Sequence, residues 1–184
     1  MKRPALALLL CACAVPGASF ATSYAVQPAA SKLGFSATFQ GAAFSGSFSQ
    51  WTAAISYDPA HLAASKFDVT VAPASVHTGD KDQEKALPGA AFFDVAKFPA
   101  AHFVTTGFRQ VGAQVIADGN LTLRGVTKPI SLAVTFKPQG SGATLDVSGT
   151  LKRLDFGVGS GDYADTSVIG ADVKIAAHLQ LAAK

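Results

Sequence analysis

Apolar and polar residues alternate along most of this chain, and that alternation restricts the fold more than any other feature of the sequence. It is clear at residues 33–39, 51–57 and 67–71, and again at 130–136 and 173–181. A period of two places one set of side chains on a buried face and the other in water, which is typical of antiparallel sheets. Short turns rich in Gly, Pro, Asn and Asp separate the runs. The pattern therefore predicts an all-β fold built from many short strands.

The number of these strands indicates that the sheet closes on itself. A single open sheet of this length would expose long edges, and closure removes them. We therefore predict an antiparallel β-barrel of about eight strands, or a sandwich, with one short helical insertion around residues 80–95. Within that insertion, Asp80 or Thr78 is expected to cap a helix that Pro88-Gly89 ends.

The first residues have the layout of a secretory signal peptide. Met1-Lys2-Arg3 is basic, an apolar stretch follows, and small residues precede a cleavage point after Ala21. We predict a signal peptide at residues 1–21, a single mature domain at 22–184 and a periplasmic location.

Both cysteines of the chain, Cys11 and Cys13, lie in this leader. The mature domain is therefore expected to be held by its core and its strand ladder rather than by disulfides. The residues before Cys13 also resemble a lipoprotein cleavage box, so a lipoprotein anchored at Cys13 is the alternative location. The formal net charge of +3 includes Lys2 and Arg3, and no basic tract remains beyond them. No nucleic-acid partner is expected.

Residues for catalysis or metal binding form no recognisable pattern. His61, His77, His102 and His178 are far apart and show no HxH or HxxxH spacing, and no G-x-S-x-G segment occurs. We therefore predict no catalytic residue, no metal and no cofactor, and we do not expect an enzyme.

Phenylalanine dominates the aromatic residues, with 13 Phe against 3 Tyr and 1 Trp. Ordinary core packing accounts for most of them. A barrel of about eight strands, however, has room either for packed side chains or for one small ligand. Small residues on the same runs, such as Gly34, Ala37 and Ala53, favour an unfilled apolar interior. Periodicity alone leaves the choice between a filled and a hollow barrel open.

Residues 119–136, GNLTLRGVTKPISLAVTF, resemble the signature hairpin of the YceI-like family of exported lipid-binding proteins. Three other regions, at residues 44–62, at 77–108, and at 151–159 with 168–181, resemble the family in the same order. The resemblance covers nearly all of residues 24–181. It implies an extended lipocalin-like antiparallel barrel that holds a long isoprenoid lipid, such as an isoprenoid quinone or a polyprenyl phosphate. No catalytic residues come with this family.

The hairpin itself is interpreted as structural. Gly125 is expected to supply a positive φ angle, and Pro129 is expected to set the entry to the following strand. Together they would fix the strand register and hence which side chains face the interior.

Candidate ligand-binding residues follow from the parity of the strands and from the charges near the turns. His77, Lys81 and Arg153 are candidates for contact with a polar head group at the mouth. The family often has Arg-Asp where this chain has Lys81-Asp82, which bears on head-group recognition. The candidates for the apolar wall are Phe35, Phe39, Phe44, Phe48, Trp51, Ile55, Phe67 and Val69.

The resemblance thus implies a periplasmic binding or carrier protein whose partner is an isoprenoid lipid. A homodimer and a transient contact with a membrane, or with a membrane electron-transfer protein, are left open. Two alternatives also stay open: a structural or partner-binding sandwich with a filled core, and a lipid-modifying enzyme.

Overall fold

The computed structural model describes residues 21–184. Apart from Ala21, the predicted signal peptide lies outside the described residues, and so does the alternative anchor at Cys13. Eleven strands form one sheet in the described part of the chain. The strands are β1 (Thr22–Val26), β2 (Lys32–Phe39), β3 (Ala42–Phe48), β4 (Trp51–Tyr57), β5 (Lys66–Val71), β6 (Val76–His77), β7 (Ala101–Val111), β8 (Gln114–Leu123), β9 (Val126–Gln139), β10 (Gly142–Lys152) and β11 (Asp172–Ala183), and the α-helix is α1 (Lys81–Ala86).

Eight of these strands close into a barrel. The order β1-β4-β5-β7-β8-β9-β10-β11 returns to its start because β1 pairs with both β4 and β11. Every pairing is antiparallel, as the alternation predicts. The predicted all-β barrel of about eight strands with one short helix is confirmed.

The remaining strands widen one part of the barrel wall. Residues 174–178 of β11 pair with β2, whereas residues 181–183 of the same strand pair with β1. β2 then pairs with β3, and β3 with β6. The wall therefore gains extra strands at one end only.

The connections between strands distinguish the two ends of the molecule. One end carries two long segments, residues 78–98 and 153–171, which we call the cap. The opposite end carries the tight β7–β8 and β9–β10 turns. No helix within residues 21–184 is long and apolar enough to cross a membrane.

The β8–β9 turn reaches the cap end, and its backbone requires a glycine. Arg124 and Gly125 both have positive φ, 52° and 73°, which is the pattern of a type I′ turn. The predicted positive φ at Gly125 is confirmed. Pro129, by contrast, does not mark the entry to the strand, because β9 already begins at Val126. Pro129 pairs with Asn120 on β8, and β10 pairs with β9 only from Ala133 onward. The missing N–H is tolerated there because one edge of β9 is still unpaired.

Helix α1 forms where the charged segment predicts it. Asp80 is its N-cap, and the carboxylate accepts hydrogen bonds from the backbone N–H groups of Asp82 and Gln83. The helix ends at Ala86, before Pro88. It belongs to the first half of the cap.

Candidate ligand-binding site

The barrel contains a cavity of about 230 Å³. Its wall consists almost entirely of apolar side chains from β2, β3 and every barrel strand except β1. Trp51, the single tryptophan of the chain, is part of this wall. The interior is therefore partly hollow, which the filled-core alternative does not predict.

Below the cavity the barrel is filled by aromatic rings. Tyr57 is 2% exposed, and its ring lies 5.8 Å from that of Phe67, 5.9 Å from that of Phe108 and 4.8 Å from that of Phe136. Tyr24 adds an edge contact to Phe136 at 5.7 Å. We call these five residues the plug. They belong to the lower core cluster, whose Leu, Val and Ala side chains complete the packing at the end of the tight turns.

Above the cavity the cap supplies apolar side chains of its own. Leu87, Phe92 and Phe93 come from its first segment, and Val158 and Ile169 from its second. Phe93 and Val158 are 9% exposed each and belong to a second buried cluster at this end. The cavity thus lies between two packed layers, the plug below and the cap above.

Contacts between the two cap segments join them to each other. The backbone N–H of Gly159 donates to the carbonyl of Ala91 at 2.8 Å. The rings of Phe92 and Tyr163 pack with their centroids 4.9 Å apart. The cap is therefore one unit rather than two independent loops.

The β8–β9 turn fastens this unit to the barrel. The Arg124 guanidinium donates to the carbonyl of Ala90 at 2.6 Å and to the carbonyl of Gly157, so it bonds both cap segments. A Cβ atom at Gly125 would meet the ring of Phe98 at 2.6 Å, which shows how closely the turn packs on the first segment. The signature hairpin therefore positions the cap as well as the strand register.

Arg153 is buried, at 3% exposed, and lies on the cavity wall. Its N–H groups donate to five backbone carbonyls, at distances from 2.5 to 3.1 Å. A guanidinium has five N–H donors, so none is left for a ligand. Burial lowers the pKa of Arg153 from its ordinary value. Its side chain folds the second cap segment around itself; the acceptors are Val158, Gly159, Tyr163, Ile169 and Gly170.

The other two head-group candidates lie outside the cavity lining. His77 and Lys81 are exposed, and the His77 imidazole is 3.8 Å from the Glu84 carboxylate. Glu84 accepts hydrogen bonds from the backbone N–H groups of Thr78 and Gly79. Those bonds, Gly79 first, hold the pKa of Glu84 below its ordinary value, and His77 adds to the effect. A head-group role for His77 or Lys81 stays a prediction, and for Arg153 the structure leaves no free donor.

Most of the predicted wall residues do line the cavity. Phe39 does not: it is 42% exposed at the end of β2, where its backbone forms a bridge with Ile169. The alternation places it inward, but β2 has passed beyond the enclosed part of the barrel at this residue. Contact with a ligand stays a prediction for all of them. The seven lining residues are Phe35, Phe44, Phe48, Trp51, Ile55, Phe67 and Val69.

Sequence reasoning missed the half of the wall that comes from the second half of the chain. The signal for these residues was present, because β8 to β11 show the same alternation as β2 to β5, which supplied the predicted wall residues. The cap residues carry no such signal, since their inward position depends on the fold of an irregular segment. Examples of missed wall residues are Leu121, Leu123, Ile130, Leu145, Leu151 and Ile175.

The described residues also contain pairs of histidine and aspartate. His102 bonds Asp68 at 2.7 Å and His178 bonds Asp146 at 2.6 Å, each between neighbouring strands and each with an exposed imidazole. Within residues 21–184, no group of three His, Cys, Asp or Glu side chains is placed to hold a metal ion.

Fold and cavity together define a class: closed antiparallel barrels with an apolar internal cavity under a cap. Within that class, residues 24–181 match the family model described as YceI-like domain, and the chain belongs to that family. It is 36% identical over 129 residues to the UPF0312 protein of Pseudomonas syringae pv. syringae (strain B728a), which covers 66% of this chain and 67% of that protein. It is 34% identical over 119 residues to Protein YceI of Salmonella arizonae, covering 61% of this chain and 62% of that protein.

Solved structures show the same architecture. BcnA of Burkholderia cenocepacia superposes with a TM-score of 0.81 at 30% identity, covering 85% of this chain and 99% of that chain. A polyisoprenoid binding domain from Saccharophagus degradans, implicated in plant cell wall breakdown, has a TM-score of 0.68 at 16% identity and covers 89% of this chain and 99% of that chain. At that identity the second similarity concerns the fold alone.

Proposed function

We propose that this protein binds the apolar chain of an isoprenoid lipid in its barrel and carries it in the periplasm after export by its signal peptide. The observation that carries the proposal is the apolar cavity between cap and plug. Burial drives the binding, at about 0.8 kcal/mol for each methylene-sized group removed from water. Membership of the YceI-like family and the polyisoprenoid binding domain of similar fold support the ligand class.

The proposal favours an uncharged head group within the cavity. Among the described residues that line the cavity, Arg153 is the only Arg, Lys, Asp or Glu, and all its donors are engaged by backbone carbonyls. A phosphate placed there would lose its hydration without gaining hydrogen bonds, which is costly. An isoprenoid quinone therefore suits the cavity better than a polyprenyl phosphate, whose head group would have to stay in water.

The second part of the proposal is that the protein carries the lipid and does not modify it chemically. Delivery would involve a transient contact with a membrane or with a membrane electron-transfer protein. The lipid is expected to leave the protein chemically unchanged. Incubating the loaded protein at neutral pH and re-extracting the lipid tests this point, since any conversion product would favour the lipid-modifying alternative.

Native mass spectrometry of the purified protein, followed by organic extraction, is the decisive test. We expect an adduct of lipid mass that solvent releases and that fragments as an isoprenoid. Apo protein would then be titrated with an isoprenoid quinone and with the matching polyprenyl phosphate, using Trp51 fluorescence. Failure to take up either lipid would overturn the proposal, and a preference for the phosphate would overturn the uncharged head group alone.

A further inference from the structure

The plug lies directly beneath the cavity, and Phe67 belongs to both. Its ring lines the cavity floor, and it packs on Tyr57 at 5.8 Å and on Phe108 at 4.9 Å. Ile55, Leu145 and Leu179 complete the floor, and they belong to the same buried cluster as Tyr57. The boundary between hollow and filled barrel is therefore a continuous layer of side chains.

We infer that this layer is a stop that sets how far an isoprenoid chain enters, with Phe67 as the specificity-determining residue. The inference rests on the proposed function and deepens it, because it predicts which chain lengths the protein distinguishes. A chain that reaches the stop gains nothing by growing longer, since further isoprene units cannot be buried.

The packing below the stop leaves no path through the barrel. Phe67 and Tyr57 are each 2% exposed, Leu181 is 1% exposed and Leu145 is fully buried. Moving Tyr57 aside would break its contacts with three other rings at once. At this end β1 also seals the wall by pairing with both β4 and β11. Close-packed interiors of this kind resist the insertion of even a single methylene group.

The size of the cavity agrees with a limited depth. Its volume of about 230 Å³ lies just below the roughly 300–1,000 Å³ of ordinary small-molecule pockets. Only the leading part of a long polyisoprenoid fits between cap and plug. The rest of a longer chain would remain at the cap end.

The test is a series of all-trans prenyl alcohols of two to nine isoprene units, titrated against the apo protein. Trp51 lies on the wall and reports occupancy by its fluorescence. We expect the affinity to rise by about fourfold for each additional buried methylene-sized group and then to level off at one chain length. That length is the break point.

Variants of the floor should move the break point in opposite directions. Phe67→Ala deepens the cavity and should shift the break to a longer chain by about one isoprene unit, and Phe67→Leu should shift it in the same direction by less. Leu179→Phe raises the floor and should shift it to a shorter chain. Phe136→Ala is the matched control. It also removes one phenyl ring from the plug, but Phe136 does not line the cavity, so the break point should stay at the same chain length.

The outcomes distinguish failure of the proposed function from failure of the stop alone. If no alcohol binds the unmodified protein, the proposed function fails and the stop with it. If the alcohols bind but the affinity shows no break, only the stop fails. It also fails if the break stays in place in folded Phe67→Leu and Leu179→Phe, or if Phe136→Ala moves it as far as Phe67→Ala does. Cooperative thermal unfolding of each variant shows that its fold is intact. If Phe67→Ala does not fold, Phe67→Leu is used in its place.

Discussion

Arg153 shows how a residue that looks like a ligand contact can instead hold a loop together. The sequence shows that Arg153 is charged and stands close to Asp155-Phe156-Gly157, but it does not show which atoms accept the hydrogen bonds of Arg153. Those acceptors are backbone carbonyls, which every residue has, so no pattern of side chains announces them. The position of a buried guanidinium therefore follows from the folded cap, and it could not be predicted from residue types.

Replacing Arg153 by lysine should destabilise the protein. Lysine offers three donors in place of five and lacks the planar fork, so at least two of the five carbonyls lose their partners. We expect the free energy of unfolding to fall by about 2–4 kcal/mol. Urea unfolding followed by Trp51 fluorescence measures it.

The control for that variant is Lys152→Gln. Lys152 is the neighbouring residue, but it is exposed and pairs with Asp172 at 3.2 Å on the surface. Its loss should cost less than about 1 kcal/mol. An Arg153→Lys variant as stable as the unmodified protein, yet unable to bind a polyprenyl phosphate, would restore the head-group role.

Asp118 gives the fold a contribution that depends on pH. The Arg109 guanidinium donates to its carboxylate at 2.7 Å and the Ser131 hydroxyl donates at 2.5 Å. These bonds, Arg109 first, hold the pKa of Asp118 below its ordinary value of 3.8. Because the folded pKa is the lower one, the contribution is fully present above pH 3.8 and is lost as the pH falls through the folded value.

The corresponding variant is Asp118→Asn. At neutral pH it should be less stable than the unmodified protein, and the gap should close as the pH falls below 3.8, the ordinary pKa of the carboxyl group. Urea unfolding at a series of pH values from 7 to 3 measures that gap. A gap of constant size over the whole range would contradict the proposed electrostatic origin.

At the scale of elements, the β8–β9 hairpin and the cap depend on each other. The hairpin could be predicted from Gly125 and the flanking alternation, and α1 from Asp80 and Pro88, since both signals are local. The hydrogen bonds that join the hairpin to the cap could not be predicted. Arg124 bonds Ala90 and a carbonyl of the second cap segment, and both are far from it in the sequence. Contacts between irregular segments leave no periodic trace in a sequence.

Arg124→Asn should loosen the cap without disturbing the turn. Asparagine tolerates the positive φ of 52° found at this position, but it cannot reach both cap segments. We expect the free energy needed to open the cap to fall by about 1–3 kcal/mol, and a bound lipid to dissociate faster. Hydrogen exchange should increase at residues 81–98 and 153–171.

The same experiment has an internal and an external control. Exchange within β8 and β9 should not change, because their ladder remains intact. Arg109→Asn removes an exposed arginine that bonds Asp118 far from the cap, and it should leave cap exchange unaltered. Equal exchange of the cap in Arg124→Asn and the unmodified protein would show that other contacts hold it.

For the whole molecule, the same alternation produces a packed lower half and a hollow upper half. Parity determines which side chains point inward, and this much could be predicted. Whether they meet across the barrel depends on their summed volumes and on where the wall widens. Tyr57 and four other rings converge below, whereas β2 and β3 enlarge the wall above and place Gly34 and Ala37 on the cavity lining. That difference depends on pairings between distant strands, so a period of two cannot reveal it.

One substitution at the cavity wall and one in the packed half of the barrel test this difference in packing. Val147 lines the cavity, whereas its cross-strand partner Val134 is 3% exposed in the packed half. Val147→Phe should fill empty space, leave the free energy of unfolding unchanged within about 1 kcal/mol, and weaken geranylgeraniol binding at least tenfold. Val134→Phe should overpack the core and lower the free energy of unfolding by about 1–3 kcal/mol. Equal destabilisation by both variants, measured by urea unfolding, would mean that the upper half is packed as tightly as the lower half and has no room for a lipid.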